Sequence, residues 1–354
     1  MQKRFVLRTS IIAASLLATH VQAFQLGKPI KTSVVITNQK ALATDKAKRK
    51  DVVVMNVSLT QKERDILMSY QPKHTKLATA NKNLPSVVNL GMNHVPVLDQ
   101  GLHGSCVTFA MTAAIDAVIG RGDYVSQLCN LELGAGLEKT SYLPSGWDGS
   151  FGPWVLDQIM RFGIVNKENQ QTKGCAGVTD YPTMDMFSEG KPMSIDEFNA
   201  ISEALNYKLY PVTKMSFFQR LDTHFADTDK AELALSQVKE SLSNGNRVVF
   251  GTFLVLSPYC SAGACATYHQ SQDTWALTKE IELPPYQTGG HEMVITGYDD
   301  NAIATDQEGN QYQGLLTLRN SWGEEVGDNG NYYMTYDYFK KFVGEVDEIA
   351  EMKG

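Results

Sequence analysis

From Cys106 onward the apolar residues Val107, Ala110, Met111, Ala114, Ile115 and Val118 recur at the spacing of one helix face, and Gly120 and Gly122 end the pattern. Similar patterning predicts helices over about Trp154 to Phe162 and about Ala231 to Leu242, the latter closed by Asn244-Gly245. Beyond Val248 the period changes. Val248-Val249-Phe250, Met293-Val294-Ile295-Thr296, Leu315-Leu316-Thr317-Leu318 and Tyr332-Tyr333-Met334-Thr335 are short β-prone runs separated by Gly, Asp and Asn. Helices first and strands afterwards predict an α+β fold, with a helical lobe, a sheet-rich lobe and a cleft where they meet.

The flanks of this pattern read differently. Lys3, Arg4 and Arg8 precede an apolar run from Ile11 to Leu17 and the small-residue site Val21-Gln22-Ala23, so residues 1–23 read as a secretory signal. The run is far shorter than the ~20 residues that cross a bilayer, which predicts a soluble, exported (secreted or periplasmic) protein with no membrane anchor once the signal is removed. Residues 24–83 are rich in Lys and poor in aromatics, with a helix predicted from Leu59 to Tyr70 behind a Thr60/Glu63 capping box. They read as a separable leader. At Leu84-Pro85-Ser86-Val87-Val88-Asn89-Leu90 the alternation predicts an extended segment opening the main domain, 84–354. The stretch from Val165 to Arg247 has no sustained period and reads as loops and short helices.

Charge sharpens that division. The leader carries 12 Lys and Arg against 4 Asp and Glu, whereas residues 84–354 carry 17 against 35. So acidic a main domain argues against a nucleic-acid partner, whose phosphates demand the opposite sign. In an exported chain the five cysteines leave one without an intramolecular partner. Cys260 and Cys265 are near enough in sequence to close a small loop, Cys129 with Cys175 would form a longer bridge, and Cys106 is left over. Nothing has the ligand spacing of a zinc site, and no metal or cofactor is expected.

Cys106 gains a role from its position. A thiol attacks as the thiolate, and the free N–H groups and dipole of a helix N-terminus favour that anion. In Asp99-Gln100-Gly101-Leu102-His103-Gly104-Ser105-Cys106 the Gln100 amide and the Cys106 N–H are two candidate donors for an oxyanion. His291, after Gly289-Gly290 and at the mouth of a strand, is the candidate base. Asn320, at the end of Leu315-Leu316-Thr317-Leu318-Arg319, is its candidate orienter, with Trp322 shielding the bond between them.

These blocks resemble the papain family of cysteine peptidases. Gln100, Gly104-Ser105-Cys106, Gly290-His291 and Asn320-Ser321-Trp322-Gly323 match that family's four active-site blocks in order, and the resemblance covers roughly Leu84 to Tyr333. It implies a two-lobed fold, polypeptide substrates, a monomer, and a leader that inhibits as a propeptide. Val125-Ser126-Gln127-Leu128-Cys129 and Gly327-Asp328-Asn329-Gly330-Asn331-Tyr332 are similar to further family segments. Gly149-Ser150-Phe151-Gly152 stands where a substrate-binding strand is expected, so Gly149, Phe151 and Gly152, with Gly290 and Trp322, are candidate substrate contacts. His291 follows Cys106 by 185 residues, beyond the family's usual ~130–150, which implies an insertion within 165–247. Val107, Ser150 and Glu292 depart from the family pattern; Glu292 is placed to perturb the base or to face an incoming amino group. The leader lacks the family's long helical propeptide pattern, and its positive charge suggests attachment to the acidic domain that acid would weaken. An exopeptidase, an acyltransferase, or an inert binding protein on the same scaffold are the competing readings.

Overall fold

The computed structural model describes residues 26–38, 49–57, 84–140, 144–184, 192–205, 209–215, 228–282 and 287–351. The signal segment 1–23 and the helix predicted over Leu59 to Tyr70 lie outside them. Among the described residues no helix is long and apolar enough to cross a membrane.

The fold is α+β, with a group of helices packed against a large sheet. The chain opens with β1 (Leu26–Val35), β2 (Arg49–Val57) and β3 (Val87–Asn89), followed by α1 (Cys106–Ile119), α2 (Gln127–Glu138), α3 (Gly152–Phe162), α4 (Lys167–Lys173) and α5 (Ile195–Asn199). Next come β4 (Leu209–Met215), α6 (Thr228–Ser243), β5 (Arg247–Leu256), β6 (Ala266–Thr267), β7 (Thr274–Trp275) and α7 (Lys279–Glu282). The long β8 (Gln287–Asp306), β9 (Gln311–Arg319), β10 (Asn331–Thr335), α8 (Tyr336–Phe342) and β11 (Val343–Glu351) complete it.

Strand β8 organises the sheet. It pairs with β5 and β9 along its length and with β2, β3 and β6 at shorter contacts. Because β9 also pairs β10, which pairs β7, this part of the sheet curls back on itself. Residues Gly289 to Tyr298 are buried without interruption, since α1 covers one side of β8 and strands and aromatic side chains the other. The helical group has its own core of Phe109, Leu128, Leu131, Leu133, Trp147 and Phe198 around the Cys129–Cys175 disulfide. A second disulfide joins Cys260 and Cys265, and Cys106 is the free thiol. All three facts agree with the cysteine reading.

Two expectations change. The region 165–247 is not only loops and short helices: β4 lies within it and pairs antiparallel with β11 at the sheet edge, its Pro211 interrupting the apolar alternation that would have marked a strand. The described part of the leader, where only a helix was expected, forms strands. β1 and β2 form an antiparallel hairpin, and Val34, Val52, Val53, Val54, Met55 and Val57 are buried.

The Cys129–Cys175 bridge spans 46 residues of sequence and ties α2 to the loop after α4. Chain-entropy arithmetic for such a loop gives about 4 kcal/mol. Cys129→Ala/Cys175→Ala is expected to lower stability in urea by roughly 2–4 kcal/mol, measured as the shift in unfolding midpoint.

Candidate active site

Helix α1 begins at Cys106, and its N-cap Ser105 makes no capping bond to the first turn. Its hydroxyl instead pairs with Tyr181 Oη at 2.7 Å, and Tyr181 donates to the Gln100 carbonyl at 2.9 Å. The first-turn N–H groups therefore stay free. Those of Cys106 and Val107, joined by the N–H of Glu292 from β8, favour the thiolate. They are outweighed here. Complete burial, and secondly the Glu292 carboxylate, push the thiol above its ordinary range, so Cys106 is protonated in this form. Gly101 has a φ of +59°, and a side chain there would strike the Thr183 backbone; one at Gly104 would press on the Asp148 backbone. This tight turn is why glycine flanks the segment.

The orienting pair is formed. His291 Nε2 lies 2.9 Å from Asn320 Oδ1, and the same oxygen accepts from the Ser321 N–H at 2.7 Å. An oxygen already accepting from a backbone N–H fixes the amide orientation, so Nε2 carries the proton and Nδ1 holds the lone pair. Nδ1 is buried without a hydrogen-bond partner. Trp322 stacks on the imidazole at 4.5 Å, itself 1% exposed. Burial lowers the His291 pKa to about 4 despite the Asn320 bond, so the imidazole is neutral. Thiol and imidazole are therefore both neutral in this form.

Gln100 is held at both ends of its amide. Ser321 Oγ donates to Oε1 at 2.8 Å, while Nε2 donates to the His103 carbonyl at 2.8 Å. The Gln100 N–H donates to Ser321 O at 2.8 Å, which locks the helical segment onto the Asn320 loop. Ser321 and Tyr181 had no assigned role in the sequence. Ser321 sits inside the Asn320 block, but Tyr181 lies in an aperiodic stretch with no local signal.

The leader hairpin fills the cleft. Met55 pairs with Gly290, next to His291. A side chain at Gly290 would meet Val57 and Met55, and one at Gly149 would meet Leu26 and Met55. Only about 10 and 30 Å³ of free space remain beside Glu292, while the larger hollows of about 170 and 240 Å³ lie away from Cys106. The expected substrate strand needs correction at Gly152. This residue starts α3, and its N–H donates to Glu345 Oε1 at 2.6 Å, so it is not free to pair with a peptide. Phe151 remains extended as the N-cap, and Gly149 and Gly290 face the hairpin.

Charge fastens the hairpin at one place. Lys50 Nζ binds Asp99 and Glu325, both at 2.7 Å, and the Trp322 carbonyl at 2.8 Å. Partly exposed pairs of this kind contribute about 1 kcal/mol each or less. Burying Val34, Val52, Val54, Met55 and Val57 is worth up to roughly 1.5–3 kcal/mol per side chain. Apolar burial therefore dominates the attachment.

Residues 229–349, which include His291 and Asn320, match the model of the Peptidase C1-like family. No curated protein matches the chain. Xylellain, a cysteine protease from Xylella fastidiosa, is 19% identical over 80% of this chain and 91% of its own, with a TM-score of 0.48. The proform of the ragweed pollen cysteine protease Amb a 11 is 16% identical over 81% of this chain and 73% of its own, with a TM-score of 0.45. Digestive procathepsin L 3 of Tenebrio molitor larval midgut is 15% identical over 80% of this chain and 77% of its own, also at 0.45. The likeness to the Peptidase C1-like family is carried by residues 229–349, which hold two of the four sequence blocks.

Lys50→Met removes both ion pairs while keeping an unbranched apolar stem. Opening of the hairpin is then expected to be more frequent, and alkylation of Cys106 by iodoacetamide about 3- to 30-fold faster at neutral pH, read by mass spectrometry.

Proposed function

We propose that this chain is an exported cysteine peptidase in its covered, inactive form, hydrolysing peptide bonds once the leader leaves the cleft. The observation that carries the proposal is the His291–Asn320 bond of 2.9 Å, which presents an unpartnered Nδ1 in the same buried cleft as a free thiol at a helix start. With the cleft open to water, the desolvation that raises the thiol and lowers the imidazole falls away. The helix N–H groups then favour the Cys106 thiolate beside a protonated His291, with Asn320 holding the ring without adding a negative charge.

In the mechanism this supports, the thiolate attacks the scissile carbonyl. The Cys106 N–H and an N–H of the Gln100 amide receive the oxyanion, and His291 protonates the leaving amine. His291 then takes a proton from water, which releases the acyl group. Gly149, Phe151, Gly290 and Trp322 line the peptide path that the hairpin occupies in this form. Residues 1–23 direct export and residues 24–83 serve as the propeptide. The two disulfides fit an oxidising compartment.

Cys106→Ala is expected to abolish peptide hydrolysis while leaving the fold intact, and an epoxide selective for papain-type thiolates should label Cys106 in the activated protein and not in the variant. An inert binding protein on this scaffold would escape labelling. A synthetic peptide of residues 24–83 should inhibit the activated enzyme; absence of inhibition at every salt and pH would remove the propeptide role.

A further inference from the structure

Strand β9 carries Leu315, Thr317 and Arg319 at two-residue steps, so the three side chains stand on one face of the sheet. The register sets Asn331 of β10 opposite Arg319 and Tyr333 opposite Thr317, while Gly297 of β8 flanks the row on its other side. Over this face lies a hollow of about 240 Å³. Val88 and Met92 close one rim and Tyr268 and His269 another, so it stands apart from Cys106 and His291.

The two ends of the hollow differ in chemistry. One is apolar: Ala302, Leu315 and Tyr333 are buried together, and Tyr268 packs on them, edge-on to Tyr333 at 4.8 Å. The other end is cationic. Arg319 is half-buried; its Nε donates to Asn331 Oδ1 at 2.9 Å and Nη1 to the Val95 carbonyl at 3.4 Å. Both acceptors are neutral, so among the described residues the charge has no carboxylate partner, and burial holds the guanidinium below its ordinary pKa. Nearby acids are engaged elsewhere. Asp328 accepts from Tyr333 Oη at 2.7 Å and lies 2.8 Å from His269 Nδ1, and Asp299 Oδ1 accepts from the Asn301 and Ala302 N–H groups.

We propose that this hollow is a binding site for a small organic carboxylate, with the carboxylate on Arg319 and an apolar or aromatic body against Tyr268, Tyr333 and Leu315. A guanidinium offers donors in a plane that matches a carboxylate, and its weak hydration makes it the cation best suited to a partly closed site. The aromatic rings supply apolar area at the far end without a charge of their own. Leu315 and Arg319 are four strand residues apart, about 13 Å, so the ligand is an acid whose body extends beyond a methyl group. The site is separate from the cleft and rests on no reading of Cys106.

The probe is phenylbutanoate, titrated into the full chain at neutral pH and followed by relaxation of its own protons in NMR, so no turnover is needed. It should bind with a Kd of about 1 mM or tighter, and Arg319→Met should weaken it about 10-fold or more. Thr317→Leu fills the middle of the hollow and leaves Arg319 in place, and it should weaken binding by at least a similar factor. Phenylbutanol has the same body without the charge, and acetate the charge without the body; each should bind about 10-fold more weakly than phenylbutanoate. Absence of phenylbutanoate binding at about 10 mM overturns the proposal, as does binding that neither variant diminishes. Equal affinity for phenylbutanol removes the role of Arg319, equal affinity for acetate removes the apolar end, and tighter binding of inorganic phosphate removes the carboxylate; each overturns the proposal. Should Arg319→Met fail to fold, Thr317→Leu and the phenylbutanol comparison decide the matter.

Discussion

Everything near Cys106 depends on one buried strand. β8 exchanges backbone hydrogen bonds with five other strands, and from Gly289 to Tyr298 no residue reaches solvent. Slipping its register by one residue would exchange the faces of His291 and Glu292, replacing a base with an acid against Trp322 and Asn320. The pairings therefore do more than build a sheet. They hold His291 against Asn320, bring the Glu292 N–H to the Cys106 sulfur, and dock the leader at Gly290.

At Cys106 two physical effects oppose one another, and burial decides the outcome. Helix-start N–H groups favour the thiolate, but complete burial excludes the water that would help solvate it. The same exclusion strips His291 of its proton. Both shifts run against forming an ion pair, so burial leaves the thiol and the imidazole neutral. No rearrangement of His291 or Asn320 is needed for this, because their bond is already made.

Much of this arrangement was legible along the chain. Cys106 at the start of α1, the strand runs around Val248, Met293, Leu315 and Tyr332, and both disulfides follow from local pattern and cysteine count. The illegible parts are those fixed by distant pairing. β4 is a strand because β11 offers it an edge, although Pro211 breaks its own pattern. The leader's valines at 52–54 look like any short apolar run, and only β8 tells them where to lie. Glu345 and Asp347 alternate with buried residues in a strand near the end of the chain, which suggests an exposed face; α3 and the Glu292 row bury it instead. Gly152 was misplaced for the same reason, since its N–H is claimed by an acid almost two hundred residues away.

The leader's charge and its apolar face have different roles. Lys50 spans Asp99, just upstream of the Cys106 turn, and Glu325, just past the Asn320 block, so one ammonium sets the hairpin's position across both sides of the cleft. Its two partly exposed pairs are too weak to hold the hairpin against solvent by themselves. The valines and Met55 supply that strength but little selectivity, because apolar contact is non-directional. Salt screening the Lys50 pairs would loosen the alignment and leave most of the buried area in place. Separating the hairpin from the domain therefore takes more than the loss of the Lys50 pairs, because the strand pairing at Gly290 and the buried valines remain.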